Sequence, residues 1–186
     1  MTIFLFFSSI NPIFEYLFIG VILFLAVKIF LSLILNDMPK EVSSKIETSF
    51  LFTLFLGIFF YSILVYLLNI LLGISIFNYE SILFPYFIFS SLFLGTFPVM
   101  EIKNVLLKAR EKNVLETYEK TSKKISSVLV NISLLFTFPL ISMYFFGNGS
   151  MNNLLILFFF SILVSCAHWI FVFPKILKLK ERGKKF

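Results

Sequence analysis

Long, nearly uninterrupted runs of apolar residues constrain the fold of this chain more than any other feature. Five such runs lie at 13–35, 50–72, 82–100, 128–146 and 154–174. A helix needs about 20 apolar residues to cross the hydrocarbon core of a bilayer. Lipid offers no hydrogen bonds to the backbone, so a span is a helix or part of a closed barrel, whose strands would alternate apolar and polar residues. The sequence therefore predicts an all-α integral membrane protein, a bundle of about five transmembrane helices.

The composition supports one polytopic membrane domain over residues 1–186. Hydrophobic residues make up 59% of the chain and charged residues only 14%, whereas a soluble domain averages about 25% charged residues. This balance excludes an ordinary cytosolic enzyme and a disordered chain. Cys166 is the only cysteine, which excludes a disulfide scaffold.

The distribution of basic residues predicts the orientation of the bundle. The segment between the third and fourth spans carries seven Lys or Arg, the tail 175–186 carries six, and Lys40 and Lys45 lie between the first two spans. The other connections carry none. Because basic segments stay in the cytoplasm, we expect the N-terminus outside and the basic C-terminal tail in the cytoplasm, most simply at the cell membrane. The net charge of +6 is thereby explained without nucleic acid, which is not an expected partner.

Local patterns predict where helices begin and which of them pack closely. Ser44 and Glu47 have the spacing of a capping box, which predicts that the second helix begins just before residue 50. Pairs of small residues four positions apart allow membrane helices to approach closely. Such pairs occur in the second, third and fifth spans, which we therefore expect to form the tighter core: Thr53 and Gly57, Ser91 and Gly95, and Ser161 and Ser165.

A few polar side chains inside or at the ends of the spans form a candidate site, because ionisable groups in lipid are costly and are usually functional. Counted from the predicted cytoplasmic ends, these residues lie at similar depths. They are Lys28, Thr96, Glu101, Asn131 and His168. If they converge, they line a polar pocket or a half-channel. The alternative is that each bonds locally or faces headgroups, with Lys28 extending to the interface.

His168 is the most informative member of this layer. An imidazole can shuttle protons near neutral pH. A metal or haem site is less favoured, because His168 is the only histidine in the chain and metal sites need three or four ligands. Cys166 lies two positions earlier and so faces another side of a helix. The chain also lacks phosphate-loop, nucleophile-elbow and His-Glu-x-x-His patterns, so no catalytic residue, cofactor or metal site is predicted.

Residues 101–125 are the only sizeable segment outside the predicted spans. Apolar residues recur there at helical spacing and charged residues fill the gaps, which predicts a cytoplasmic amphipathic elbow of one or two helices. The elbow either lies on the membrane surface or provides a docking site for a soluble protein.

Three functions fit these features. The first is a non-catalytic membrane subunit or permease component of a larger transport complex, with a membrane or cytoplasmic protein bound through residues 101–125. The second is a stand-alone small transporter or channel that acts as a homo-oligomer. The third is a membrane-embedded enzyme for a lipid or quinone-like substrate, with His168 as acid or base and Lys28 holding an anionic headgroup.

Overall fold

The computed structural model describes residues 12–72, 80–109, 114–146 and 152–182, and nearly all of them are helical. The helices are α1 (Pro12–Ile34), α2 (Lys40–Leu72), α3 (Glu80–Ala109), α4 (Val114–Phe146), α5 (Asn152–Ala167), a π-helical turn (His168–Val172) and α6 (Phe173–Arg182). No strand occurs in these four ranges, so the predicted all-α class is confirmed. The chain divides into two compact units, Met1–Asp37 and Met38–Phe186.

The first unit contains α1, a single apolar helix of 23 residues. Pro12 begins the helix, a position where its missing N–H costs nothing. At the other end the Leu35 amide donates to the Leu31 carbonyl at 2.9 Å, and a turn follows. The helix therefore ends where the first apolar run, 13–35, ends. Lys28 is exposed on the last third of α1.

The second unit contains four helical segments long and apolar enough to cross a membrane. They are Lys40–Leu68, Pro85–Lys108, Val114–Phe146 and Asn152–Lys180. These segments cover most of the predicted second and third spans and all of the fourth and fifth, which supports a membrane protein.

All four segments are longer than the hydrocarbon requires. The helices α2 and α4 each have 33 residues, or about 50 Å at the α-helical rise, against roughly 30 Å of hydrocarbon. The predicted capping box is wrong for this reason: Ser44 and Glu47 lie inside α2, which begins at Lys40. The helix starts immediately after Pro39, whose carbonyl accepts the amides of Val42 and Ser43 at 3.0 Å each.

The extra turns pack together at one end of the second unit, which we name the charged head. The charged head comprises residues 40–49 of α2, 100–109 of α3, 114–127 of α4 and 173–182 of α6. Glu101 of α3 accepts a hydrogen bond from Lys124 of α4 at 2.7 Å, and the ring of Tyr118 lies 5.9 Å from that of Phe173. The predicted elbow is thus the helical continuation of two spans.

The charged head has buried apolar residues from all of its helices. Its most buried members are Ile46, Ile102, Leu106, Val114, Tyr118, Ile125, Phe173, Ile176 and Leu177. The apolar face predicted for residues 101–125 is therefore turned inward, towards α2 and α6 of the same unit. The charged residues remain outside, as amphipathic helices require.

A buried tryptophan joins the membrane part of the second unit to the charged head. Trp169 is fully buried, and its ring lies 4.5 Å from that of Phe50 and 5.3 Å from that of Phe173. Its Nε1 donates to the Ser91 carbonyl at 2.8 Å. Gly95, one turn along α3 from Ser91, lies directly against the indole. Trp169 thus contacts three helical segments besides its own turn.

The small-residue pairs lie at the helix interfaces, as predicted. All six positions are buried: Thr53, Gly57, Ser91, Gly95, Ser161 and Ser165. The helix α5 packs against α3 and, less extensively, against α2. The burial predicted for these positions is confirmed, but α5 packs most extensively against α4, so the second, third and fifth spans do not form a core tighter than the fourth.

The π-helical turn begins at His168 and ends immediately before Phe173, whose amide donates to the His168 carbonyl. Pro174 follows, and it has no N–H to offer the Ile170 carbonyl four residues earlier, which its ring also crowds. Widening the preceding turn relieves that crowding while the helix continues into α6. Such turns are uncommon and occur frequently at functional sites.

Gly95→Ala is expected to lower the free energy of unfolding by about 2–3 kcal/mol, because buried overpacking carries a cost of that order. A β-carbon at position 95 would lie 2.5 Å from Cε2 of Trp169 and 2.8 Å from Cε2 of Phe50. Gly57→Ala is the matched control, since its β-carbon would lie no closer than 3.3 Å to Phe87. Thermal unfolding in mild detergent measures both variants. Equal stability of the two would contradict the packing described.

Candidate functional site

His168 is the most deeply buried ionisable group of the predicted layer, with 8% of its surface exposed. Its Nδ1 lies 3.0 Å from the carbonyl oxygen of Val164, one turn earlier in α5. A carbonyl only accepts hydrogen bonds, so Nδ1 carries the hydrogen. Among the described residues, Nε2 has no hydrogen-bond partner. A buried polar atom left in this way costs about 1–3 kcal/mol.

The residues that the structure places against the His168 ring are apolar and come from α2. Gly57 faces the imidazole, and a β-carbon there would lie 3.7 Å from Cδ2, the carbon bonded to Nε2. The Phe60 ring lies 5.5 Å from the imidazole at an angle of 49°. Phe60 is also half exposed on the outer surface of the second unit. His168 therefore lies one aromatic ring beneath that surface.

Next to His168 lies a row of hydroxyl groups, which we name the hydroxyl seam: Tyr61, Ser90, Ser161 and Ser165. The Ser90 hydroxyl of α3 lies 3.4 Å from that of Ser161 and 3.3 Å from that of Ser165. The Tyr61 hydroxyl of α2 donates to the Leu157 carbonyl at 3.3 Å. The seam thus joins three helices through polar groups that meet inside the unit.

Aromatic rings fill the space around the hydroxyl seam. Tyr61 stacks on Phe87 with ring centres 4.4 Å apart and ring planes within 8° of parallel. Tyr86 stacks on Phe158 at 4.1 Å. The seam is therefore enclosed by rings. Its hydroxyls hold helices in register, as polar groups commonly do between membrane helices.

Thr96, Glu101 and His168 of the predicted polar layer bond to different partners. Thr96 donates to the Phe93 carbonyl of its own helix at 2.7 Å, and Glu101 pairs with Lys124 in the charged head. His168 bonds the Val164 carbonyl of α5. The bonds of Thr96, Glu101 and His168 therefore do not join two members of the layer. Their convergence on one pocket stays a prediction.

Asn131 and Lys28 complete the layer at exposed positions. Asn131 lies on the outer surface of α4, and Lys28 is exposed on α1, which belongs to the other compact unit. His168 is thus the only buried member of the predicted layer. It is the residue on which a candidate site can be built.

Cys166 is not placed with His168 as a reactive pair. Cys166 lies two positions before His168 and so faces another side of the helix, whereas the His168 ring faces Gly57 and Phe60 of α2. Within the described ranges, no three His, Cys, Asp or Glu residues lie close enough together to hold a metal ion.

An apolar groove lies between the end of α4 and the start of α5, away from the charged head. Its volume is about 320 Å³, and it is lined by Leu140, Ile141, Tyr144, Phe145, Leu155, Ile156, Phe159 and Phe160. A surface of this kind is compatible with hydrocarbon chains, so the groove does not identify a specific ligand.

Sequence reasoning missed two parts of this arrangement. The small-residue pairs pointed to Ser161 and Ser165 as packing positions, but nothing in their spacing showed that Ser90 would meet both. Trp169, the only tryptophan in the chain, was also not selected. The sequence signal that could have selected Trp169 is its indole N–H, because a buried tryptophan usually needs a hydrogen-bond partner for this group.

Ser90→Ala is expected to lower the free energy of unfolding by about 0.5–1.5 kcal/mol, since it removes the hydroxyl shared by Ser161 and Ser165. Ser62→Ala is the matched control, because within the described ranges the Ser62 hydroxyl bonds the Ile58 carbonyl of its own helix at 2.8 Å and no other helix. Thermal unfolding in detergent compares the two. A larger loss in the control would show that the seam does not hold the helices together.

No protein-family description matches the chain, no curated protein is significantly similar to it, and no solved structure matches its fold. We therefore infer function from the geometry of the described residues.

Proposed function

We propose that the protein is a non-catalytic membrane subunit of a larger transport complex in the cell membrane. In this proposal α1 is a fifth span, the N-terminus is outside and the charged head lies in the cytoplasm. The charged head binds a soluble or membrane-bound protein through the outer face of residues 101–125. The observation that carries the proposal is that the charged head has its own buried core and leaves charged side chains on its surface.

The interior of the second unit favours a subunit over a channel contained in one chain. Trp169, Tyr61 and Phe87 are fully buried among the helices, and the hydroxyls of the seam bond one another or a carbonyl. A conduction path needs polar groups that face open space. The hydroxyls most suited to that role are here part of the packing.

The nature of the proposed docking face follows from the charged head. Because Ile102, Leu106 and Tyr118 are buried, a partner would contact the exposed polar side chains between them. Lys108 of α3 and Lys123 of α4 are exposed, and so is Glu119. A face of mixed sign selects its partner by charge complementarity, which affects specificity and association rate.

The proposed orientation rests on the basic residues. The charged head and its flanking segments contain fifteen of the sixteen Lys and Arg, all except Lys28. Basic residues next to spans are retained in the cytoplasm. The four segments of the second unit alternate in direction, so their charged ends all lie on this one side.

Labelling of engineered cysteines from one side of the membrane is expected to reveal this orientation. In a Cys166→Ser background, Asn153→Cys at the start of α5 should react with a membrane-impermeant maleimide in intact cells. Glu119→Cys in the charged head should react only after permeabilisation. Both positions are exposed, so burial does not explain a difference. The reverse pattern would overturn the orientation.

Native mass spectrometry after extraction in mild detergent is expected to show a stoichiometric protein partner. The combined Lys108→Glu and Lys123→Glu variant should weaken that association roughly tenfold, because reversed charges oppose a complementary surface. Lys175→Glu with Lys178→Glu is the matched control, since it makes the same charge change on α6 of the charged head. Deleting residues 103–120 would not test the docking face, because the deletion also removes Leu106, Val114 and Tyr118 from the buried core.

Two results would contradict the proposal. If both charge-reversed variants weaken the association with the partner equally, the effect is a general electrostatic one, and α3 and α4 do not form a specific docking face. Extraction of the protein alone or as a homo-oligomer would favour a stand-alone transporter, in which several copies enclose the pathway.

A further inference from the structure

The hydrogen on the His168 ring has a defined position, and this determines what Nε2 can bind. The Val164 carbonyl lies 3.0 Å from Nδ1, so the neutral ring carries its hydrogen there. Nε2 is then a lone-pair acceptor without a hydrogen. A ligand of Nε2 must therefore bring a donor, which excludes groups that only accept, such as a quinone carbonyl or an ester.

The position of Nε2 limits the route by which a ligand arrives. His168 is 8% exposed and Phe60, which tilts against it, is 50% exposed. Rotation of the Phe60 side chain away from the ring would uncover the imidazole without moving α2. The outer surface there continues into other exposed apolar side chains of α2, among them Phe59 and Ile63. A ligand on this route comes from the lipid phase.

Gly57 packs against the side of the ring next to Nε2. A β-carbon there would lie at contact distance from Cδ2 of His168 and 3.3 Å from Cζ of Phe87. Any longer side chain at position 57 would occupy the space along this edge of the imidazole. The glycine thus serves close helix packing and also leaves the acceptor edge unobstructed by a side chain.

From this geometry we propose that Nε2 of His168 accepts a hydrogen bond from the hydroxyl group of an alcohol or phenol dissolved in the membrane. The apolar part of the ligand lies along Phe60 and the neighbouring lipid-facing side chains of α2. The site is one of binding, and no bond is made or broken. It is independent of the docking face on the charged head and goes beyond the subunit function.

The π-helical turn is a second feature that sets this position apart. His168 is its first residue, and its carbonyl accepts the Phe173 amide across the wide turn. Trp169 is fixed by Ser91 and Gly95, so the backbone that follows His168 is held in place. A hydrogen-bonding group at a wide turn with fixed neighbours is preorganised to bind a ligand at low entropic cost.

Nuclear magnetic resonance of the full chain in phosphatidylcholine vesicles tests the proposal. His168 is the only histidine, so labelling histidine with ¹⁵N gives one Nδ1 signal and one Nε2 signal. The expected spectrum has a protonated Nδ1 and an unprotonated Nε2. Addition of a 4-alkylphenol should shift the Nε2 signal saturably. Its O-methyl ether has nearly the same shape without a donor, and should bind roughly tenfold more weakly.

Two further lipids identify the source of the hydroxyl group. Diacylglycerol carries one free hydroxyl on a membrane lipid, and triacylglycerol is its control without a donor. A saturable shift with diacylglycerol alone assigns the site to a lipid alcohol. A shift with the alkylphenol alone assigns it to a smaller phenolic ligand. Either result supports the proposal.

Fluorescence of Trp169, the only tryptophan, gives an independent readout of the same site. His168→Phe retains an aromatic ring and removes the acceptor, so the preference for the phenol over its ether should disappear. Phe171→Leu, in the same turn but exposed, should keep that preference. If His168→Phe does not fold, the comparison of the two ligands on the native chain decides the question alone.

Three outcomes would overturn the proposal. The first is an apo spectrum in which Nε2 carries the hydrogen. The second is an equal response to the phenol and its ether. The third is the absence of a saturable shift with either hydroxyl ligand, which would leave Nε2 as an acceptor that binds no ligand of this class.

Discussion

The packing of Trp169 against Gly95 is the contact on which the rest of the second unit depends. The indole occupies the space that a side chain at position 95 would take, and its ring N–H bonds the Ser91 carbonyl. On its other sides lie Phe50 of α2 and Phe173 of α6. One side chain therefore sets the separation of α2, α3 and the turn after α5. In lipid, where exposed surface is as apolar as the interior, such close packing replaces the hydrophobic effect as the main source of helix association.

The hydroxyl seam and His168 show two ways of placing polar groups in this setting. Ser90, Ser161 and Ser165 lie close enough to bond one another, and such bonds between membrane helices contribute about 0.6 kcal/mol each on average. That gain is too small to hold the helices alone, but an unmatched hydroxyl would penalise any other register. His168 differs because only one of its ring nitrogens has a partner among the residues that the structure describes. The unpaired Nε2 lowers the stability of the fold and joins no helices. It is therefore a better candidate for binding a ligand than any serine of the seam.

The sequence allowed prediction of the helices but not of the way their ends assemble. Apolar runs identified the four long segments because lipid selects for length and composition alone. The capping-box spacing of Ser44 and Glu47 predicted a start of α2 that is too late. The helix begins at Lys40, because its first turns extend beyond the hydrocarbon and form part of the charged head. The burial of Ser91, Gly95 and Ser161 followed from their size and spacing. The meeting of Ser90 with two serines of α5, and the fit of Trp169 over a glycine, depend on helix rotation, which no spacing within one helix specifies.

The continuity of α5, the π-helical turn and α6 places His168 and the charged head on one rigid element. Phe173 contacts Trp169 at 5.3 Å and Tyr118 at 5.9 Å, so the ring that ends the turn belongs to the packing of both regions. A displacement of the turn would therefore have to break contacts in the membrane part and in the charged head together. Coupling between two sites requires such a shared element with more than one arrangement. The structure shows one arrangement of this element, in which Phe173 ties the wide turn to Trp169 on one side and to Tyr118 on the other.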